Sequence, residues 1–292
     1  FPENFIVALP TPSNYIGPNR IFAEDGEYHS QLVYITDAGR EEEDGYPFYF
    51  KHKKEWEDEL PDSLTDSIYT FYLANAIRDL RGEHRSMLIN ISRFVKVQKY
   101  IKGEVELIHG TAYRSIKYNL SHDLEESMKD PVIKRLYRMW EEHYAGCEFT
   151  WDQIVDAIFA SIENLQIKIV NSSKNSEKLE YPKNESLRVI AIGGLALSRG
   201  LTLEGLIISY FYRNTCTYDV LMQMGRWFGY RKNYDDLFRI WTHKSSARWY
   251  AEIAEATDKL KDDMTLMRDL GQRPRDFGIR GRNNSAELSI TA

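Results

Sequence analysis

Apolar positions along this chain follow two rhythms. From residue 62 to 82 they recur at helical spacing (Leu64, Ile68, Phe71, Tyr72, Ala76, Leu80), after a Ser63 placed as an N-cap and before a terminating Gly82. Met87–Ile91 is a short, wholly apolar run with Asn90 inside it, the pattern of a strand buried on both faces. Helical spacing then returns four times, over Phe94–Ile108, Ala112–Met128, Val132–Tyr144 and Trp151–Leu165. Strands are predicted at Ile167–Val170, Leu187–Ile192, Leu206–Phe211 and Leu237–Trp241. Helices are predicted at Tyr218–Phe228 and Ser245–Arg268, and a polar loop at Asn171–Asn184. Upstream, the apolar run Phe5–Leu9 leads into a stretch broken by Pro10, Pro12, Gly17 and Pro18, then a possible hairpin of Ile21–Tyr28 with Gln31–Thr36. Strands alternating with helices imply βαβ units, and so an α/β fold with a mainly parallel sheet, helices on both faces and a helical insertion at about residues 94–165.

Composition narrows this picture only a little. With 292 residues, the chain can bury a real core. A net charge of −6 argues against a surface that coats nucleic acid all over. Charge is uneven, though. Asp37–Asp66 holds eleven acids against four Lys and Arg, and reads as an acidic surface loop up to Asp62, whereas Arg268–Arg282 holds five Arg against two Asp. Two cysteines, Cys147 and Cys216, give neither a disulfide framework nor zinc spacing, so a reducing, cytoplasmic setting is expected. No apolar run reaches 18 residues and no signal peptide is evident, so no membrane contact is expected. The chain opens on Phe1 rather than Met and reads as part of a longer protein.

Two sites carry candidate chemistry. After an apolar strand come Gly193-Gly194, then Ser198-Arg199-Gly200. Glycines let backbone turn sharply and approach a ligand, and in parallel sheets ligands sit at the carboxyl ends of strands. The free N–H groups of such a loop suit phosphate. The bland alternative is a glycine-rich connection with Arg199 in a surface ion pair. Farther on, Gln223-Met224-Gly225-Arg226 closes a helix ahead of Trp227-Phe228-Gly229-Tyr230-Arg231. A guanidinium on rigid backbone can stabilise a transferring phosphoryl group. Here the alternative is Arg226 and Arg231 as solvated charges beside an aromatic core patch. The order and spacing of the two sites on consecutive βα units weigh against chance.

That order resembles motifs V and VI of superfamily 2 helicases. The whole chain is similar to the Z1 domain family of prokaryotic helicase-like proteins. The matching stretches include Leu60-Pro61-Asp62-Ser63-Leu64, Ser86–Phe94 (SMLINISRF) and Asp276-Phe277-Gly278, and the likeness spans roughly Phe1 to Arg282. The resemblance implies the second RecA-like (P-loop NTPase-type) domain of a motor linked to restriction and phage defence, with a possible endonuclease role. On it, residues 1–60 connect from a missing first RecA-like domain, 61–268 form the second, and 269–292 are an Arg-rich extension. It implies DNA contacts at Ser92, Arg93, Ser198 and Arg199, nucleotide contacts at Gly194, Gly200, Gln223 and Gly225, and a catalytic arginine at Arg226 or Arg231. ATP with Mg2+ would belong to the full-length protein and none to this chain alone. Partners would be DNA, the N-terminal RecA-like domain and other defence-system proteins. Two positions depart from the helicase pattern: Thr202 stands where an acid usually follows Arg-Gly, and Gly229 stands where the second arginine of motif VI is usual, leaving Arg231 nearest.

No Gly-x-x-x-x-Gly-Lys-Ser/Thr phosphate loop occurs in the sequence, so the chain by itself is not expected to turn over ATP. Nuclease chemistry would need clustered carboxylates. Glu163 with Gln166 and Lys168, and Asp152 with Asp156, fit ordinary helix surface far better, and the seven His lack metal-ligand spacing. The Arg-rich tail suits either phosphate contact or packing, and the aromatic run Trp227, Phe228, Tyr230 suits core more than base stacking. Two other classes of function stay open: a catalytically silent docking or regulatory module, and an endonuclease domain.

Overall fold

The computed structural model describes residues 6–39, 53–81, 84–170, 179, 181, 186–194, 203–212 and 218–273. In chain order its elements are β1 (Tyr15–Ile16), α1 (Pro18–Phe22), a 3-10 turn at His29–Gln31, β2 (Leu32–Tyr34), α2 (Asp62–Arg81), β3 (Arg85–Asn90), α3 (Val95–Asn119), α4 (Leu124–Ser127), α5 (Pro131–His143), α6 (Trp151–Glu163), β4 (Gln166–Val170), β5 (Arg188–Gly193), β6 (Leu206–Phe211), α7 (Tyr218–Met224), β7 (Gly229–Tyr230), β8 (Arg239–Thr242) and α8 (Lys244–Asp269). The chain forms two compact units. One comprises Val33–Asn214 with Lys232–His243; the other comprises Phe1–Leu32, Thr215–Arg231 and Lys244–Ala292.

The larger unit is built on a six-stranded sheet of order β2-β8-β6-β3-β5-β4. The pairs β3–β5, β3–β6, β4–β5 and β6–β8 are all parallel, so the fold is α/β with a mainly parallel, helix-flanked sheet. β3 is buried at every position, as its unbroken apolar run predicts. One sheet face, through Met87, Ile89, Ile190, Ile192, Ile208 and Tyr210, packs on the apolar sides of α2, α3, α5 and α6. The other carries a smaller cluster of Leu88, Val170, Ala191 and Leu206.

Local sequence explains the starts of α5 and α6. Asp130 accepts from the N–H groups of Val132 and Ile133 ahead of Pro131, and Thr150 with Gln153 forms a capping box on α6. α2 differs from expectation. Ser63 lies inside its first turn rather than capping it: its N–H donates to Asp37 Oδ2 (2.7 Å), and its hydroxyl bonds the Tyr210 hydroxyl (2.9 Å). A carboxylate from a distant segment outcompetes the local hydroxyl as acceptor. Leu80, expected on the buried stripe, is exposed.

Three further expectations are corrected. Residues 21–36 do not form a hairpin. Ile21 and Phe22 end the Pro-initiated helix α1, and β2 joins the sheet beside β8, where the Ile35 N–H donates to the Thr242 carbonyl (3.1 Å). The helices expected at 94–108 and 112–128 are one continuous α3, followed by the short α4. Its buried stripe of Val97, Ile101, Val105, Ala112 and Ile116 carries the helix through Gly110, because packing outweighs a glycine cost of about 1 kcal/mol. Third, the acidic stretch before α2 is not all solvated loop, since Trp56 is buried against Tyr100.

At the amino ends of the strands, charge is concentrated rather than excluded. Arg85, fully buried at the start of β3, pairs with Asp79 of α2, and Arg188 at the start of β5 donates to the same carboxylate (2.9 and 3.2 Å). Arg78 lies over the Tyr234 ring. Burial, reinforced by Arg188 and Arg78, lowers the Arg85 pKa to about 9. Gly205, with φ of +63°, lets β6 begin against this edge. A side chain there would meet the His84 carbonyl oxygen at 1.9 Å.

Two tests follow from this packing. Asp79→Ala leaves buried guanidinium groups without their shared carboxylate, and denaturant unfolding should show a loss of about 3–5 kcal/mol; a change below 1 kcal/mol would contradict the shared pairing. His143, whose pKa burial and then Arg239 push down from 6.5 to about 4, is held neutral in the fold. The unfolded chain therefore takes up a proton first as pH falls. The His143 contribution is complete above pH 6.5 and is lost between pH 6.5 and 4. Melting temperatures of wild type should fall more steeply across that window than those of His143→Gln; parallel curves would count against it.

Candidate functional site

Because β3 and β5 are parallel neighbours, with Asn90 level with Gly193, their carboxyl ends emerge side by side. β3 runs into Ile91-Ser92-Arg93, and α3 begins at once at Val95. Ser92 is buried and Arg93 exposed, its guanidinium 5.0 Å from the centre of the Phe94 ring. The Ser92 hydroxyl accepts from the Phe94 N–H (3.2 Å). Phe94, the N-cap of α3, offers no side-chain acceptor to the first turn, so the positive end of a 25-residue helix opens beside Arg93.

Gly194 lies against this loop. A Cβ at that position would sit 2.8 Å from the Ser92 carbonyl oxygen, 3.1 Å from the Arg93 Cα and 3.2 Å from Gln98 Nε2. No side chain fits, and the glycine allows the two strand ends to touch. The expected site residues Ser92, Arg93 and Gly194 are thus brought together. Gln98 was not singled out in the sequence. It is 2% exposed, and its Nε2 donates to the Ser92 carbonyl (2.8 Å). Its trace in the sequence is a polar residue on the apolar stripe between Val97 and Ile101. Asn90, noted there only as a polar residue inside an apolar strand, is 1% exposed, and its Oδ1 has no hydrogen-bond partner among the described residues.

The second candidate group belongs to the smaller unit. α7 ends at Met224, and a turn follows in which the Arg226 N–H donates to the Met224 carbonyl (2.7 Å) and the Phe228 N–H to the Gly225 carbonyl (3.2 Å). Gln223 is exposed, Arg226 half-buried, and burial lowers the Arg226 pKa. Arg231 is buried, and its Nη2 donates to the Trp227 carbonyl (2.7 Å), which fastens the turn from within. Gly225 is spatially required, since a Cβ there would meet Phe228 Cε2 at 2.3 Å. The aromatic run divides. Trp227 and Phe228 pack with Phe22 and Tyr250, whereas Tyr230 is exposed on the two-stranded β1–β7 ribbon beside Tyr15.

Ser198, Arg199, Gly200 and Thr202 lie outside the described residues, as do Asp276-Phe277-Gly278 and the tail arginines Arg275, Arg280 and Arg282. Asp152 and Asp156 are exposed and face His122, at 3.5 and 3.0 Å. Among the described residues no group of three His, Cys, Asp or Glu side chains could hold a metal ion. No described helix is long and apolar enough to cross a membrane.

The fold is of the α/β class with a mainly parallel sheet, in which ligand sites generally lie at the carboxyl ends of the strands. Within that class the family is specific: the Z1 domain model matches residues 63–288, and the chain belongs to the Z1 domain family. Comparisons with curated proteins and with solved structures give no match.

The turn at Gly225 makes its own test. Gly225→Ala forces the Phe228 ring out of its place among Phe22, Trp227 and Tyr250, and thermal or denaturant unfolding should register a loss of about 1–3 kcal/mol. Unchanged stability would mean that the ring moves aside freely and that the glycine serves another purpose.

Proposed function

We propose that this chain is the C-terminal motor half of a superfamily 2 helicase-like ATPase that acts on DNA in restriction or phage defence. Membership of the Z1 family supports this reading. The observation that carries it is the junction at the carboxyl ends of β3 and β5, where Ser92, the exposed Arg93 and the open amino end of α3 lie beside Gly194. Backbone N–H groups, a helix dipole and an exposed cation suit a phosphodiester backbone and read no sequence. The resemblance to helicase motif V assigns Ser198 and Arg199 to nucleic acid as well.

The nucleotide site lies between this RecA-like domain and an N-terminal one that carries the phosphate loop. ATP binds there with Mg2+, whose ligands come from that domain and the nucleotide. On this reading the smaller unit contributes Gln223 and an arginine. Arg226 is the better finger. Arg226 is half-buried, and a partly desolvated cation gains most from a phosphoryl oxygen. Arg231 is spent on the Trp227 carbonyl and acts as a strut.

The test is ATP turnover by the full-length protein with and without DNA. Arg226→Ala should lower DNA-stimulated turnover by about 10³-fold or more with folding intact. Arg231→Ala should instead lower stability, with turnover per folded molecule largely kept. A wild type without turnover, or an Arg226→Ala variant equal to it, would refute the motor reading.

A further inference from the structure

We propose that Gln98 is a positioning residue that aims Arg93 at the nucleic-acid backbone by pinning the Ser92 carbonyl from α3; the inference rests on the reading of the β3–β5 junction as a nucleic-acid interface. Gln98 itself touches no ligand. It occupies the first turn of α3, on the face that carries Val97 and Ile101 into the core. Its amide is engaged at one end only. Nε2 donates to the Ser92 carbonyl (2.8 Å), while Oε1 is buried with no partner among the described residues. A buried amide oxygen left unsatisfied costs about 1–3 kcal/mol, so stability alone does not account for glutamine here.

What the amide does provide is geometric. The Ser92 carbonyl that it grips is the same atom that leaves no room for a side chain at position 194. The Ser92 hydroxyl in turn holds the Phe94 N–H. Arg93 therefore stands between two fixed residues, with its exposed guanidinium over the Phe94 ring. Releasing the Ser92 carbonyl frees the peptide that sets the direction of Arg93 and loosens the seat of Gly194 together. α3 thus sets the loop after β3 and the start of the chain after β5 through one side chain.

The experiment is a double-mutant cycle on the full chain with Gln98→Met, which keeps volume and removes the donor, and Arg93→Ala. Affinity for a DNA oligonucleotide is measured at fixed salt, and amide hydrogen exchange over residues 91–97 is measured without DNA. Gln98→Met should weaken binding by about tenfold, and adding it to Arg93→Ala should cost almost nothing more. Exchange at Arg93 and Phe94 should rise while the rest of the chain stays protected. Losses that multiply in the double variant, or unchanged exchange, would overturn the proposal. If the wild type binds no DNA, the interface reading fails on its own, and the exchange measurement alone decides whether Gln98 fixes the loop. Should Gln98→Met fail to fold, Gln98→Asn, one methylene too short to reach, takes its place in the same cycle.

Discussion

The carboxyl ends of β3 and β5 can meet only because residue 194 has no side chain. A Cβ there would press on the Ser92 carbonyl oxygen at 2.8 Å, and that carbonyl is already held by the Gln98 amide. The rest of the larger unit is arranged to make this contact rigid. β3 is central, buried on both faces, and parallel to both neighbours. α3 follows it with almost no intervening chain and packs its apolar stripe on the same sheet. A short, fixed connection leaves Arg93 little freedom except to point outward.

The two edges of the sheet handle charge in opposite ways. At the amino edge, guanidinium groups are buried and matched to Asp79, and the Gly205 turn closes over them. Those arginines are tied to Asp79 within the fold. At the carboxyl edge the cation is exposed, the helix end carries no side-chain cap, and Asn90 Oδ1 and Gln98 Oε1 are buried with no hydrogen-bond partner among the described residues. This asymmetry supports the proposed reading of the carboxyl edge, where ligand sites in parallel sheets generally lie. In the smaller unit, Arg231 is buried and donates to the Trp227 carbonyl, whereas Arg226 in the same turn is half-buried.

Long, strongly periodic segments were legible in the sequence. The strand at 206–211 and the long final helix sit where apolar rhythm puts them, and the parallel sheet follows from strand and helix alternation. Elements fixed by distant partners were not. α1 and the β1–β7 ribbon depend on tertiary pairing of segments some two hundred residues apart, and neither has a rhythm long enough to read. Asp37 takes over the start of α2 for the same reason. At the junction, Gly194 stood out in the sequence for its glycine chemistry, and Ser92 only through the family resemblance. Gln98 was not, since its role exists only once α3 is folded back onto the end of β5.

The central claim is that the β3–β5 junction contacts a phosphodiester backbone through Arg93. Salt dependence of DNA binding tests it most directly, because each phosphate contact releases counterions and adds about one to the slope of log affinity against log salt. Wild-type chain should show a clear slope, and Arg93→Ala should make it shallower by about one while oligonucleotides of different sequence bind alike. Binding without salt dependence, or a slope unchanged by the substitution, would contradict the account.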